Sequence, residues 1–309
     1  MKTAIKNILI AGGTGLIGKR LTSYLESNNF TVYHLTRKSG NSGKSFSWDP
    51  ENSIIDKKAI AVADVVINLA GAGIADKRWT DERKKLIVNS RLTSTNLLYE
   101  TLATTHNSVQ LFINASAIGI YGNTGDNIIN ESSPSSNDFL GKTCQRWEQA
   151  ALQVKSLGIR TVIFRFGLVL ARDGGMLPEV MKPLKFGIAP VFGDGAHYQS
   201  WVHIDDICRM TGQAIANESI AGIYNAVAPL PVTNYNFMKL LGKALDKKFL
   251  VVKVPKLMMI LVLGEMAEVV ITGSKVSPDK ITAAGFDFTY SRLEDAFRDL
   301  VRQELKATN

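Results

Sequence analysis

Residues 5–18 read Ile-Lys-Asn-Ile-Leu-Ile-Ala-Gly-Gly-Thr-Gly-Leu-Ile-Gly, and they constrain the fold more than any other stretch. The apolar run 8–11 has the length of a strand buried on both faces. It enters Gly12, Gly13, Gly15 and Gly18 directly, and a helical pattern follows at Leu16, Ile17, Leu21 and Leu25. Strand, glycine turn and helix in this order are the context in which G-x-G-x-x-G has mechanistic meaning. An early glycine lets the chain turn at positive φ. Gly15 lets backbone amides approach a pyrophosphate, and Gly18 lets the helix pack close against the strand. The unpaired N–H groups from Gly12 through Thr14, Leu16 and Ile17 to Gly18, with the positive end of the helix dipole, would receive the phosphates. Two registers fit, one starting at Gly12 and one at Gly13.

Residues 30–36 form the next strand pattern, rich in β-formers, and end at Thr36-Arg37-Lys38. An NAD-preferring site places an acid here to accept from the ribose 2′-hydroxyl. This chain has two cations and no acid. A guanidinium in this place can grip a 2′-phosphate bidentately. Such a contact is worth about 1.5–3 kcal/mol, or roughly 10–150-fold in affinity. The expected cofactor is therefore NADP(H).

With 309 residues, the chain can bury a large α/β unit with a smaller lobe. Its 45% apolar and 21% charged content is that of an ordinary globular protein. The net charge of +8 invites a nucleic-acid reading. No zinc-finger spacing, RNA-binding signature or long basic run supports it, so no nucleic-acid partner is expected. Cys144 and Cys208 form no C-x-x-C, which fits a reducing, cytoplasmic setting. Residues 257–271 are apolar but hold Glu265 and Glu268, too short and too charged to span a bilayer, so no membrane partner is expected.

Further strand patterns follow at 64–70, 109–115, 161–166 and 222–226, with 39–58 read as a polar loop. The strand end Asn68-Leu69-Ala70-Gly71 falls where open α/β sheets bind ligands. A helix capped by Thr80 or Asp81 runs to about 103, and another covers 139–156. Arg78 and Arg91 read as surface cations and Trp79 as a packing residue. Met258, Met259 and Met266 recur at helical spacing and read as core. The fold class is α/β, a doubly wound parallel sheet with a smaller C-terminal α+β lobe. Residues 1–170 form the nucleotide domain, with a sheet segment returning near 196–228. Residues 171–309 mainly form a substrate lobe with a helical tail over 254–305.

The glycine turn, the basic second turn, Asn68-Leu69-Ala70-Gly71 and Ser116-x-x-x-x-Tyr121-Gly122, in this order, resemble the extended and atypical short-chain dehydrogenase/reductases. Arg78-Trp79-Thr80, Ser90-Arg91-Leu92, Trp147-Glu148, Trp201-Val202-His203-Ile204-Asp205, Leu263-Gly264-Glu265 and Ala284-Gly285-Phe286 narrow the resemblance to their epimerase family. That group includes bacterial proteins described as sugar-nucleotide epimerases or cell-division-inhibitor homologues, and a related human protein. The resemblance implies NADP(H) contacts from the glycine turn, Thr36, Arg37, Leu69, Ala70, Arg91 and the backbone near Val169. It also implies an acid capping the helix after His203.

Such reductases use a Tyr to move a proton and a Lys four residues on to lower its pKa, the two sharing one helix face. Aligned on Trp147-Glu148, those places hold Leu140 and Cys144. Tyr235-x-x-x-Lys239 lies far down the chain and is read as chance. Ser116 and Tyr121 are the surviving candidates for catalysis, and Tyr198, Gln199 and Trp201 for lining a substrate pocket. Two functions stay open: an oxidoreductase or epimerase acting on a small molecule, of which a sugar nucleotide is one class, and a non-catalytic NADP(H) sensor.

Overall fold

The computed structural model describes residues 4–37, 43–246 and 248–307. Along the chain come β1 (Asn7–Ala11), α1 (Leu16–Ser27), β2 (Thr31–Thr36), β3 (Ser45–Asp49), β4 (Ile54–Ile55) and β5 (Val65–Asn68). Then follow α2 (Asp81–Thr104), β6 (Leu111–Ala117), α3 (Phe139–Leu152), β7 (Arg160–Phe166), β8 (Leu168–Leu170), α4 (Met176–Leu184), β9 (Ile188–Phe192) and β10 (Trp201–His203). The last are α5 (Ile204–Ala216), β11 (Gly222–Ala226), α6 (Asn234–Ala244), β12 (Leu250–Val254), α7 (Lys256–Leu263) and α8 (Leu293–Ala307).

The main sheet has the order β11-β7-β6-β5-β1-β2-β3-β4, parallel throughout except for the two-residue β4. Its central strands β1, β5, β6 and β7 carry consecutive buried apolar residues, as strands covered by helices on both faces do. Alternation sends Ile8, Ile10, Val65, Ile67, Leu111 and Ile113 to one face, against Leu21 and Leu25 of α1 and Ile207 and Met210 of α5. Leu9, Val66 and Phe112 face Leu97, Leu98 and Leu102 of α2 on the other. Strand order reverses between β1 and β5, so the crevice at their carboxyl ends is the ligand position of such a sheet.

Thr80 caps α2 by accepting from the Arg83 amide at 3.2 Å. The stretch expected to be a polar loop carries β3 and β4, because Phe46 and Trp48 pack against the sheet. The strand expected over 109–115 runs two residues later. Asn114 and Ser116 disguise its end, yet both are buried with side-chain partners. The long helix expected over 139–156 is α-helical only to Leu152 and continues as a 3₁₀ turn.

The lobe has its own core. Leu177 and Leu184 of α4, Val191 of β9, Trp201 of β10, Phe237 and Leu241 of α6, and Phe297 of α8 pack together. β10 pairs with β8 and β9 with β12, both in parallel. Met259 and Met266 are buried, but Met258 is exposed, because only one face of α7 meets the rest of the protein. Among the described residues, no helix is long and apolar enough to cross a membrane.

Candidate functional site

The glycine turn fills the switch point of the sheet. Gly12 has φ +82°, and a Cβ there would sit 2.8 Å from the carbonyl carbon and oxygen of Leu69. A Cβ on Gly18 would collide with the Gly12 carbonyl oxygen and lie 2.6 Å from Gly13 Cα. The turn, β5 and α1 thus touch backbone to backbone. Gly15 is the N-cap of α1, and no side chain caps the helix. The Gly15 amide turns back to the Gly12 carbonyl at 3.1 Å. The amides opening α1 are left facing the crevice, the arrangement that receives an anion. Thr14 and Gly15 are exposed. A loop of the lobe lies beside the first residue of α1: a Cβ on Gly174 would be 3.1 Å from the Leu16 side chain.

Thr36 is half-buried and Arg37 exposed at the end of β2. Lys38 lies outside the described residues. The Leu69 amide donates to the Ala11 carbonyl at 2.9 Å, and the Ala70 amide to Asn68 Oδ1 at 3.2 Å. Those bonds set Leu69, Ala70 and the exposed Gly71 beside the glycine turn. Val169 is half-buried on β8, opposite Val202.

Arg91 is not the surface cation that its helix position suggests. It is buried, and its guanidinium lies 5.0 Å over the Trp147 ring. Its Nη1 donates to the carbonyls of Ile87 at 2.8 Å and Ala72 at 3.1 Å. Among the described residues no carboxylate pairs with it, and burial pulls its pKa down from the ordinary value. Beneath it, Thr95 Oγ1 accepts from the Trp147 indole at 3.1 Å and from Asn68 Nδ2 at 3.0 Å, joining α2, α3 and β5.

Ser116 and Tyr121 belong to one buried polar web. Ser116 Oγ donates to Glu148 Oε1 at 2.6 Å. Arg165 grips both Glu148 oxygens, Nε and Nη2 each at 2.8 Å, and its Nη1 donates to the Tyr121 hydroxyl at 2.7 Å. Tyr121 donates in turn to Asn225 Oδ1 at 2.7 Å. Burial raises the Tyr121 pKa, partly offset by Arg165, so the phenol keeps its proton. On α3, burial pushes the Cys144 thiol up to about 11, and Leu140 has no ionisable group to give or take a proton. Sequence reasoning missed Arg165 and the role of Glu148. A charge inside the apolar run Thr-Val-Ile-Phe-Arg-Phe was the available signal, because a buried cation demands a partner.

Tyr198 and Gln199 are half-buried, with Lys275 Nζ 5.2 Å over the Tyr198 ring. Gln199 Oε1 and the neighbouring His197 Nε2 are buried without hydrogen-bond partners. Trp201 instead sits wholly inside the lobe core, donating to the Leu230 carbonyl at 3.0 Å. The helix after His203 is not capped by an acid. His203 Nδ1 itself accepts from the Asp205 amide at 3.1 Å. Asp206 is used elsewhere, accepting from the Thr289 and Tyr290 amides at 3.0 Å each.

A parallel sheet with its glycine turn at the switch point and a lobe over its carboxyl edge is the architecture of the short-chain dehydrogenase/reductase epimerases. The chain belongs to the NAD dependent epimerase/dehydratase family, whose profile matches residues 8–226; a domain of unknown function, DUF1731, matches 254–300. An epimerase family protein of Mycobacterium leprae is 33% identical, covering 94% of this chain and 94% of its own. One from Staphylococcus aureus is 36% identical, covering 97% and 100%. The human epimerase family protein SDR39U1, solved with NADPH, is 27% identical with a TM-score of 0.87, covering 96% of this chain and 99% of its own. A nucleoside-diphosphate sugar epimerase from Corynebacterium glutamicum is 30% identical with a TM-score of 0.77, covering 98% and 62%.

Proposed function

We propose that the chain binds NADP(H) across the carboxyl ends of β1 and β5 and exchanges hydride with a small-molecule substrate beneath the lobe. The observation that carries this reading is the uncapped start of α1 on a turn only glycine fits, with Arg37 in place of an acid after β2. The amides from Gly12 to Gly18 hold the pyrophosphate. Thr36 and Arg37 hold the 2′-phosphate. Leu69, Ala70, Gly71 and Val169 flank the cofactor through backbone atoms. Arg91, a buried cation that no carboxylate among the described residues pairs with, offers its charge beside Gly71 and Ala72. When bound, NADP(H) supplies a two-electron hydride. That SDR39U1 was solved with NADPH, and that another relative is named a nucleoside-diphosphate sugar epimerase, supports both cofactor and substrate class. Tyr198 and Gln199 are our candidates for touching the substrate, in a protein of the cytoplasm.

A second reading has an observation in its favour. The hydroxyls of Ser116 and Tyr121 are committed to Glu148 and Asn225, and α3 offers Leu140 and Cys144 where a proton relay would stand. That arrangement suits an NADP(H) sensor that turns over little or nothing. For catalysis, Tyr121 is the remaining acid, and it would have to release Asn225 to act.

The test is calorimetric titration with NADPH and NADH, on the wild type and Arg37→Ala. NADPH should bind the more tightly and lose roughly 10–150-fold on mutation, with NADH unaffected. Equal binding of both, or of neither, would overturn the cofactor assignment. Incubating the NADPH complex with a panel of carbonyl compounds then separates the readings, because a sensor binds the cofactor without oxidising it.

A further inference from the structure

Helix α7, reading Lys-Leu-Met-Met-Ile-Leu-Val-Leu, is apolar all round yet covered on one side only. Met259 is buried, and Leu263 and Met266 pack against Trp79 and Ile87. Leu257, Met258, Ile260, Leu261 and Val262 point away, between 42% and 70% exposed. At 100° per residue they sweep about 200° of the helix circumference. A helix of this composition belongs under cover. Pro255 joins it directly to β12, where Leu250 and Val252, on one face of the strand, are exposed as well. The register sets Leu250 opposite Ile188 of β9, and Phe186, just before β9, is 83% exposed. These side chains form one apolar face larger than scattered surface residues account for.

Lysines outnumber acids around this face, with Glu179, Asp194 and Glu265 at its borders, Glu179 paired with Lys182 and Glu265 with Lys84. Residues 239–264 carry six lysines and a single acid, Asp246, and residues 180–193 carry two lysines and no acid. Elsewhere in 171–309, acids outnumber cations fourteen to eight. Lys185, Lys239, Lys243, Lys248, Lys253 and Lys256 are all exposed. A self-complementary contact with a second copy would set these lysines against their own equivalents. Apolar side chains rimmed by lysine match an interface with apolar depth beneath anionic headgroups. We propose that the face built by β9, β12 and α7 docks on an anionic lipid bilayer. The chain lies on that surface and does not cross it, as the eight residues of α7 require.

The experiment is co-sedimentation of the full chain with vesicles of phosphatidylcholine alone and of phosphatidylcholine mixed with phosphatidylserine. The mixed vesicles should retain the protein at low salt and release it as salt rises. Each of Lys253→Gln and Lys256→Gln should weaken partitioning about fivefold. Leu261→Glu should weaken it more than tenfold, by removing a buried leucine from the interface. All three positions are exposed, so unchanged thermal unfolding verifies the fold of each variant. Failure to sediment with either vesicle, or equal retention on both, overturns the proposal. So does a dimer by light scattering that Leu261→Glu converts to monomer, which would give this face to a second copy.

Discussion

Gly18 has no room for a methyl group, because the Gly12 carbonyl and Gly13 Cα already occupy that space. The obstacle is backbone, which cannot swing aside as a side chain can. Gly18→Ala should therefore lift α1 from the turn, costing about 1–3 kcal/mol of stability, an overpacking penalty. Thermal unfolding and NADPH titration check this together: both midpoint and affinity should fall, and retention of either rules the packing role out. This part of the site was legible in the sequence because glycine requirements are local, written into consecutive residues. Arg91 was not. Polarity along α2 assigns an arginine to the surface, and only the fold brings Trp147 and the Ala72 carbonyl to it. Trp201 misled in the opposite sense, its aromatic size suiting a pocket wall as well as the core it occupies.

Among the elements, β6, β7 and α3 are joined by charge as well as by packing. The Glu148–Arg165 pair is bidentate and nearly inaccessible, with side chains 6% and 7% exposed. Removing one partner leaves the other charge buried and alone, which costs about 3–5 kcal/mol. Glu148→Gln should lower the urea midpoint accordingly, and Glu148→Gln with Arg165→Met should recover part of the loss. A double variant no more stable than the single one would show that the pair is not the cause. Element existence was well signposted, since β1, β5, β6 and β7 are buried on both faces and each carries an apolar run, at 8–11, 65–67, 111–113 and 162–164. Their ends were less so. Asn114 and Ser116 are strand residues whose polarity is satisfied by groups from other elements. His203 took the capping place expected of an acid, because a ring nitrogen accepts an amide as a carboxylate does.

At the scale of the whole molecule, three of the four histidines bear on pH stability. Burial lowers the pKa of His34, His197 and His203 below the ordinary 6.5. The unfolded chain then binds protons before the folded one does, so stability falls as pH drops below about 6.5 and levels off above it. Each histidine contributes at most about 1.4 kcal/mol per pH unit in that window. His203 is the most enclosed, stacked on Tyr290 with ring centroids 3.8 Å apart. Melting curves between pH 8 and 5 should show the decline, and His203→Asn, which keeps a capping acceptor, should make it shallower. An unchanged slope would exclude His203 as a contributor.

The interleaving of sheet and lobe sets an order for synthesis. Helix α5, which covers one face of the sheet, and β11, its edge strand, are translated only after α4 and β9 of the lobe. The lobe in turn waits for Phe297 of α8 to fill its core. A ribosome therefore releases neither unit in finished form ahead of the other. Half-made chains expose apolar sheet until the later segments arrive, and chaperones acting on nascent chains have an exposed surface to hold throughout.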